Sequence, residues 1–578
     1  MKRLICAVTF LFYAVAGAQA KVYQSIEELP TTTQPFDFIV AGGGTAGSVI
    51  ASRLSENRRF NVLLVEAGPD NAGVIELIIP AWGPRRDNAQ YDWPYISTPQ
   101  PGLNGRTLAV PRGHVLGGSS SINGMVYTRG SADDFDNWGR VTGDPGWSWK
   151  ALWPYIKRHE QWVQPAGGRD PSGQFDSSVH GYKGKVSVSL PWNGPTDHDN
   201  RTARNAELQK EFPVILDPNA GKPIGITWMQ STIGNGERSS AATAYLGSDV
   251  RERPNLTILL NTYITRLLPV KASSRSLDIR SIEIAPRRGG STRILSAAKE
   301  IILSGGVIGT PQVLLNSGIG NKTELEALGI PPLLNLPDVG QGLIDHVATN
   351  VAWTVIPPNT TTIDETAALA MWQQNRTGPL TERFTHQILW SRFQPDSSIF
   401  KEFKDPSTGP TSPHIEMPLG SGPGGSFCLL TPHSRGSVKL RSKNPFDNPL
   451  IDLGLLSHPF DMAALKEGIR ILKRFYSSAA WDGYITGFRG PDPDNLSDEE
   501  FEKIIRDSAF TFLHPVGTAS MSSKNSKRGV VNHELKLKGA TGIRIVDASV
   551  FPYVLTAHTQ AAVYILAERA ADLIRDAW

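Results

Sequence analysis

Two histidines in the C-terminal part of the chain stand in segments that suit acid–base chemistry. His514 lies between Leu513 and Pro515, His558 lies before Thr559, and both segments are rich in Pro, Gly, Thr and Ala rather than in charged residues. Imidazole changes its protonation near neutral pH, so either side chain can serve as a general base. The sequence leaves a second interpretation open for each, a structural histidine satisfied in the core or in a turn.

A glycine-rich turn near the start of the chain is typical of dinucleotide-binding proteins. The apolar run Phe38–Ala41 leads into three glycines with the spacing GxGxxG, namely Gly42, Gly44 and Gly47. A helical pattern follows, and a second apolar run, Val62–Val65, ends on Glu66. The glycines permit a tight turn and close backbone approach to a pyrophosphate, and the acid can accept hydrogen bonds from ribose hydroxyls. A structural turn without a ligand remains the alternative, and the motif does not separate FAD from NAD.

A second segment, residues 111–130, is also poor in side-chain volume. Gly117 and Gly118 are followed by three serines, and Asn123 and Gly124 come shortly after them. Such a backbone can lie against a flat or charged ligand, because no side chain keeps it away. A flexible Gly/Ser loop is the alternative interpretation.

Length and composition indicate a globular protein of two domains. The chain has 578 residues, of which 40% are hydrophobic and 20% are charged, and this is too long for one ordinary core. The net charge is +3 and no basic block occurs, so nucleic-acid binding has no electrostatic support. We find no Cys/His cluster with zinc spacing and predict no metal. Cys428 is alone once Cys6 is removed with the leader, and we expect it to be a buried small hydrophobe.

Residues 1–20 are predicted to be a secretory signal peptide. Lys2 and Arg3 precede the apolar run Leu4–Val15, and Ala18-Gln19-Ala20 forms a suitable cleavage site. The run is too short to span a membrane, with an N-terminal anchor as the alternative. We therefore predict an extracellular protein without membrane attachment. Six Asn-x-Ser/Thr sequons agree with N-glycosylation, although some will be chance matches: Asn200, Asn255, Asn321, Asn359, Asn375 and Asn495.

The nucleotide-binding pattern returns in the middle and at the end of the chain. Leu256–Leu268 reads as one strand, Ile279–Ala285 and Arg293–Ala297 resemble a hairpin, and residues 300–306 form an apolar strand that ends in paired glycines. Pro311 then starts the helix-like run 312–315. Near the end, residues 543–548 read as a buried strand and residues 561–574 as a helix. Between Leu333 and Asp507 short strands mix with helices, which predicts a separate α+β part.

Taken together, these blocks resemble the glucose–methanol–choline (GMC) oxidoreductases, a family of FAD-dependent enzymes. The resemblance covers nearly the whole mature chain and rests on four blocks in order: the Gly42–Gly47 motif with Glu66, residues 113–130, residues 306–320, and the paired histidines. Within the family the chain is similar to the fungal secreted branch of aryl-alcohol oxidases and pyranose dehydrogenases. Residues 434–440 and 444–447 support that placement.

The resemblance implies a role for each matching position. His514 matches the catalytic base, and His558 matches its partner beside the substrate and the flavin. The cofactor-binding positions it implies are Gly42, Gly44, Thr45, Ala46, Gly47, Glu66, Gly117, Gly118, Ser119, Asn123, Gly124, Met125, Val126, Ile264, Asp547, Ala548, Thr559 and Gln560.

Several residues depart from the family's pattern. His114 replaces a usual Lys or Arg and is not expected to be catalytic, and Val307 replaces a small residue or Pro. Ile122 occupies the position of the flavin-linked histidine in covalent members, so the resemblance implies non-covalent FAD. Gly124 and Leu513 stand where aryl-alcohol oxidases place aromatic residues that enclose the substrate, which leaves room for a bulkier or more polar alcohol.

The predicted fold class is α/β plus α+β: a discontinuous Rossmann-like FAD-binding domain with a second, substrate-binding domain built on an antiparallel sheet. The FAD-binding domain is predicted over 36–150, 225–330 and 535–578, and the substrate-binding domain over 151–224 and 331–534. The predicted function is oxidation of a primary or secondary alcohol, aryl or allylic first, by hydride transfer to flavin N5 with O2 or a quinone as electron acceptor.

Three alternatives stay open at this point. Pyranose or glucose dehydrogenation is the alternative within the same chemistry. A hydroxynitrile lyase-like enzyme with structural FAD is the alternative of another class, and a nicotinamide-dependent reductase or a binding protein is the third. We expect a monomer or a weak dimer.

Overall fold

The computed structural model describes residues 21–31, 35–83, 89–270, 277–287, 290–356, 364–382, 385–420 and 424–578. Within these residues nine strands form a mixed sheet with a parallel centre. The central strands are buried on both faces, as their continuous apolar runs predict. From edge to edge the nine-stranded sheet contains Lys21–Tyr23, Leu256–Leu259, Val62–Val65, Phe36–Ala41, Arg293–Leu303, Leu277–Pro286 and Thr262–Pro269, while Ile543–Ile545 and Ala540–Thr541 pair with Arg293–Leu303 and Leu277–Pro286.

Two of the predicted strand boundaries are wrong. The predicted strands Arg293–Ala297 and 300–306 belong to one strand, Arg293–Leu303, which ends before the paired glycines. Its first half alternates between exposed and buried residues opposite Leu277–Pro286, and its second half is buried on both faces beside Phe36–Ala41, so the residue pattern changes while the chain stays extended. Conversely, the predicted strand 256–268 is divided at Asn261, whose positive φ of 49° interrupts the extended backbone.

The helix after this strand begins earlier than predicted. It runs over Gly306–Asn316, with Pro311 inside it rather than at its start. Proline has no N–H, so the carbonyl of Val307 loses its partner in the helix. The hydroxyl of Thr518 donates to that carbonyl at 2.6 Å. A tertiary contact therefore supplies the hydrogen bond that the proline removes.

A second sheet, in which every pair is antiparallel, contains seven of the described strands. In order they are Ile485–Phe488, Val347–Val355, Gly424–Leu429, Ile415–Gly420, Thr385–Ser391 and Gly225–Trp228, with Phe510–Thr511 also paired to Val347–Val355. The predicted fold class is confirmed. Gly225–Trp228, at the start of the predicted FAD-binding segment 225–330, pairs with Thr385–Ser391 in this sheet and does not join the nine-stranded one. Nothing in its four residues distinguishes the two sheets.

Smaller sheets and helices surround the two large ones. A three-stranded sheet contains Gln341–Leu343, Gly436–Lys439 and Leu450–Asp452, and two-stranded pairs join Glu160–Trp162 to Val186–Val188, Ile319–Gly320 to Leu334–Asn335, and Ile233–Gly234 to Glu237–Arg238. The other α-helices are Thr45–Leu54, Ile75–Ile78, Ala132–Thr142, Trp149–His159, Asp197–Leu208, Ala241–Tyr245, Ser248–Arg251, Lys322–Ala327, Glu365–Asn375, Ile399–Glu402, Pro459–Phe475, Asp498–Ser508 and Gln560–Arg575.

The apolar residues form two main clusters, one on each large sheet. Cys428 is fully buried and unpaired, as expected. Within the described part of the chain, no helix combines the length and the apolar character that crossing a bilayer requires. The predicted signal peptide and the sequon at Asn359 lie outside the described residues.

Candidate active site

One cavity of about 610 Å³ contains nearly all of the predicted site residues. Its walls come from the ends of strands in both large sheets, including Gly42 and Phe510. All predicted site residues except Gly47 and Gly117 line it. The tertiary structure therefore brings together four blocks that are far apart in sequence.

The first wall is the turn between strand Phe36–Ala41 and helix Thr45–Leu54. Gly42 has a φ of +114°, and a Cβ there would lie 2.4 Å from the Ser304 carbonyl oxygen. A Cβ on Gly47 would lie 1.8 Å from the Gly42 carbonyl oxygen, so Gly47 allows strand and helix to pack closely and does not reach the cavity. Gly44 caps the helix without a side-chain hydrogen bond, which leaves the N–H groups of the first turn to face the cavity.

Glu66 is held at the end of the next strand by backbone groups. Its two carboxylate oxygens accept hydrogen bonds from the N–H groups of Gly43 at 2.7 Å and Gly68 at 2.8 Å. Burial raises the pKa of this carboxyl to about 7, against the lowering effect of those N–H groups. Each oxygen keeps a lone pair for a further donor. The group can therefore accept a hydrogen bond from a ligand hydroxyl.

The second glycine-rich segment lies directly against the first. Gly118 has a φ of +55°, and a Cβ there would approach the Cα of Gly44 to 2.8 Å. Gly117, behind it, donates its N–H to the Gly43 carbonyl at 2.8 Å and lies outside the cavity wall. The two backbones touch only because both segments contain glycine at this point.

Asn123 ties this segment to the C-terminal helix. Its side-chain oxygen accepts from the Met125 N–H at 3.0 Å and from Arg238 at 2.9 Å, and its amide donates to the side-chain oxygen of Gln560. Met125 has a positive φ of 64°, an uncommon conformation for a residue with a side chain. This network holds the segment 123–126 in place along the cavity.

A second helix N-terminus opens into the same cavity. Asp547 accepts from the Gly306 N–H at 3.0 Å and from the Thr310 hydroxyl at 2.6 Å, so its carboxylate caps helix Gly306–Asn316. Burial raises the pKa of Asp547. A Cβ on Gly306 or Gly309 would meet nothing within 4 Å, which leaves an open surface over this turn.

The two predicted catalytic histidines are neighbours. The ring centroids of His514 and His558 are 4.6 Å apart with an interplanar angle of 74°, and Phe512 packs against both. His558 Nε2 lies 2.7 Å from a carboxylate oxygen of Glu416, which is fully buried. A carboxylate can only accept, so Nε2 of His558 carries a proton, and Nδ1 is left to contact a ligand.

His514 is held by a different set of groups. Its backbone N–H donates to Asp345 at 2.9 Å, and its Nδ1 lies 3.0 Å from Nδ1 of His346. Burial, and then the nearby His558, lower the pKa of His514 well below its usual value. The ring is therefore neutral at pH 7 and can accept a proton.

The turn before His514 is held by hydrogen bonds from polar side chains. Leu513 has a φ of 64°, and Arg112 donates to its carbonyl at 2.8 Å. Asp345 also accepts from the Thr511 hydroxyl, and burial raises the pKa of Asp345 to about 6. These contacts aim the His514 ring into the cavity.

Sequence reasoning missed Glu416, Asp345 and His346. Glu416 lies in the apolar strand Ile415–Gly420, where an isolated acid with both neighbours apolar is an unusual residue. Asp345 and His346 stand directly before the apolar strand Val347–Val355. Both signals are visible in the sequence, but only the fold shows which histidine each group contacts.

Two features of the cavity are suited to binding FAD. Backbone N–H groups of the glycine turns at the N-termini of helices Thr45–Leu54 and Gly306–Asn316 can donate to phosphate oxygens. Two polar atoms that line it, Ser304 Oγ and Asn316 Oδ1, are buried without a hydrogen-bond partner among the described residues, as expected of groups that a polar cofactor satisfies. Among the residues described, no group of His, Cys, Asp and Glu is arranged to hold a metal ion.

Comparison with known proteins identifies the family to which the chain is similar. A family model described as GMC oxidoreductase matches residues 36–348, and a second of the same description matches residues 432–567. A pyranose dehydrogenase from Agaricus campestris is 40% identical and covers 98% of both chains, and a dehydrogenase of Hericium erinaceus, eriK, is 38% identical with 98% of each chain covered.

Solved structures are similar over nearly the whole chain. An FAD-dependent oxidoreductase from Chaetomium thermophilum has a TM-score of 0.84 at 31% identity, covering 94% of this chain and 99% of its own. A fungal aryl-alcohol oxidase also has a TM-score of 0.84, at 26% identity, with 95% and 100% covered. With the glycine cradle and the histidine pair in one cavity, these matches show that the chain belongs to the GMC oxidoreductase family and is an FAD-dependent oxidoreductase that acts on CH–OH donors.

Proposed function

We propose that the protein oxidises a primary or secondary alcohol to a carbonyl compound at the cavity that contains His514 and His558. The observation that carries this proposal is the pair of imidazoles, 4.6 Å apart, on the wall of the cavity that also contains the glycine cradle. An alkoxide donates a hydride far more readily than an alcohol does. The site therefore needs one group that takes the hydroxyl proton and one that holds the oxygen.

His514 is the proposed proton acceptor. Its Nδ1 is engaged by His346, so its Nε2 is the nitrogen that can face an alcohol in the cavity. The substrate O–H bond breaks as the proton moves to Nε2. The oxygen is held by His558 in its doubly protonated form, which donates from Nδ1 to the oxygen and from Nε2 to Glu416. The contact with the Glu416 carboxylate stabilises the positive charge of that ring. Acid–base help of this kind is worth about 10²–10⁴-fold in rate.

The cradle around Gly42, Gly44 and Gly118 and the turn at Gly306 would hold FAD, with Glu66 and Asp547 as its fixed carboxylates. When bound, FAD supplies the two-electron acceptor for the hydride that leaves the substrate carbon. We propose that the attachment is non-covalent, because Ile122 has no nucleophilic atom. Flavin released into the supernatant on acid precipitation supports this proposal, and flavin that stays with the precipitated protein contradicts it.

A pyranose sugar is the proposed substrate class. The supporting observation is that relatives 40% identical over nearly their whole length carry the name pyranose dehydrogenase. The aryl or allylic alcohol that the sequence analysis placed first becomes the second candidate. The apolar side chains Phe510, Phe512 and Leu513 on the cavity wall favour it.

Removing the proposed base tests this function. We expect anaerobic stopped-flow reduction of the flavin by its best alcohol or sugar to be abolished in His514→Ala, while the purified variant stays yellow. His433→Ala, a histidine outside the cavity, is the control and should behave as the wild type. Normal reduction in His514→Ala refutes the assignment. A wild-type flavin that no alcohol or sugar bleaches favours the lyase-like alternative instead.

The electron acceptor is proposed to be O2 or a quinone. A screen of sugars and aryl alcohols under air, with and without a quinone, distinguishes the two when peroxide and flavin colour are followed together. Peroxide formation without quinone identifies an oxidase, and quinone-dependent turnover identifies a dehydrogenase. The same screen ranks the two substrate classes.

We also propose that the protein is secreted and N-glycosylated. The predicted cleavage site precedes Lys21, which begins a strand that pairs with Leu256–Leu259 at the edge of the nine-stranded sheet. Cleavage after Ala20 would keep that strand intact. An N-terminal sequence that starts at Lys21 in the culture medium supports the proposal, and protein retained with the cells contradicts it.

A further inference from the structure

A third histidine contacts the proposed base. His346 Nδ1 lies 3.0 Å from His514 Nδ1, and the two rings are nearly perpendicular at 85°. His346 is fully buried, and its backbone carbonyl accepts from the Phe512 N–H at 2.9 Å. Strand Phe510–Thr511 pairs with Val347–Val355 beside it. The contact between the two rings is therefore fixed by the backbone on both sides.

Two neutral imidazoles that meet nitrogen to nitrogen must share one proton. Burial, and then the nearby His558, lower the pKa of His346 to about 3, and the pKa of His514 is also lowered, so neither ring carries a charge at pH 7. At 3.0 Å one nitrogen must be an N–H and the other a lone pair, since two lone pairs or two N–H groups would repel.

The proposed role of His514 decides which ring donates. A neutral His514 that takes the alcohol proton on Nε2 carries its own proton on Nδ1, so it donates to Nδ1 of His346. The proton of His346 is then on Nε2, which is buried without a hydrogen-bond partner among the described residues.

We propose that His346 is a positioning residue that fixes the tautomer of His514. By accepting from His514 Nδ1–H, it leaves His514 Nε2 with the bare lone pair that the alcohol proton needs. This inference rests on the proposed function. When His514 takes the substrate proton on Nε2, its Nδ1–H continues to donate to His346, so the new positive charge is shared across a hydrogen bond and no proton moves onto His346.

Asp345 and His346 contact different parts of His514. The carboxylate of Asp345 holds the backbone N–H of His514 at 2.9 Å, and the ring of His346 holds its imidazole. Two consecutive residues thus set the position and the protonation pattern of one side chain. A tautomer partner of this kind acts as the carboxylate does behind the histidine of a serine protease.

Two variants separate this role from simple packing. His346→Asn keeps an acceptor close to the original Nδ1, because both atoms are bonded to Cγ, whereas His346→Leu fills the space without an acceptor. We expect the limiting rate of flavin reduction to fall about 10–100-fold in His346→Leu, with the substrate Kd little changed, and to recover substantially in His346→Asn, as for groups that orient ligand histidines. If His346 only fills space, the apolar Leu serves as well as Asn or better, and that result overturns the proposal.

A double-mutant cycle and a spectroscopic readout complete the test. In a His514→Ala background, His346→Leu should cause no further loss of residual rate, whereas an independent, equal loss contradicts the proposal. The ¹⁵N shifts of histidine-labelled holoenzyme, assigned by the signals lost in His514→Gln, should show a proton on Nδ1 of His514 and none on Nε2. The reverse pattern overturns the tautomer assignment without any assay of activity.

The outcomes also distinguish this inference from the function on which it rests. If the wild type reduces its flavin with an alcohol, His514→Ala does not, and His346→Leu equals the wild type, only the role of His346 fails. If the wild-type flavin is never reduced by an alcohol or a sugar, the proposed function fails first.

Discussion

The contact between the two glycine-rich segments gives a prediction with a magnitude. Gly118 has a φ of +55°, and a Cβ added to it would lie 2.8 Å from the backbone of Gly44. Gly73 has a similar φ of +74°, but a Cβ there meets nothing within 4 Å. The left-handed conformation costs a residue with a Cβ about 1–2 kcal/mol, so both alanine variants carry that cost. Only Gly118→Ala adds an overlap with backbone, which for a packed site costs about 1–3 kcal/mol.

The overlap at Gly118→Ala should weaken FAD binding. Gly44 lines the cavity, and the added methyl group pushes it toward the space that the cofactor needs. A cost of about 1–3 kcal/mol corresponds to roughly 5–150-fold weaker FAD binding. The assay is dilution of each purified holoenzyme with detection of released flavin by its fluorescence, together with denaturant unfolding. We expect Gly118→Ala to release FAD at higher protein concentration than Gly73→Ala. Equal FAD retention in the two variants would refute the packing account of this segment.

Three further predictions concern charge, pH and modification. Glu416→Gln keeps the shape of the group that accepts from His558 but removes its negative charge. Loss of the charge-assisted part of this hydrogen bond, about 1–1.5 kcal/mol, should slow flavin reduction about 5–15-fold. An unchanged rate would mean that the charge of Glu416 does not contribute to flavin reduction. The pKa of His514 is lowered, so this base stays neutral as the pH falls through 6.5. The rate of flavin reduction by substrate should therefore be constant from pH 8 to below 6.5. A decrease in rate on the acidic side, centred at or above pH 6.5, would contradict the lowered pKa. Asn255 is buried, and its side-chain amide donates to the backbone oxygens of residues 55, 57 and 60. Glycopeptide mass spectrometry should therefore find Asn255 unmodified, while the exposed Asn200 and Asn495 carry glycans. A glycan at Asn255 would contradict the placement of its side chain.

The local motifs were predictable because short-range geometry determines them. The spacing of Gly42, Gly44 and Gly47 between an apolar run and a helical pattern is enough to specify a strand, a turn and a helix, and Glu66 follows at the end of the next strand. The C-terminal helix and the long apolar strands were also predicted from periodicity. The errors occurred where periodicity changes inside one element, as in Arg293–Leu303, or where a tertiary hydrogen bond lets a helix contain Pro311.

The sequence by itself determined a dinucleotide-binding turn, because glycine spacing acts over a few neighbouring positions. It also gave the two candidate histidines, through the resemblance of four ordered blocks to one family. Only the tertiary structure shows which groups contact each histidine. Glu416 lies 142 positions from His558, and His346 lies 168 positions from His514, yet the proposed proton positions on the two rings rest on these contacts. Proton positions depend on hydrogen bonds made across the fold, in a buried environment where each partner is fixed, and no local pattern encodes them.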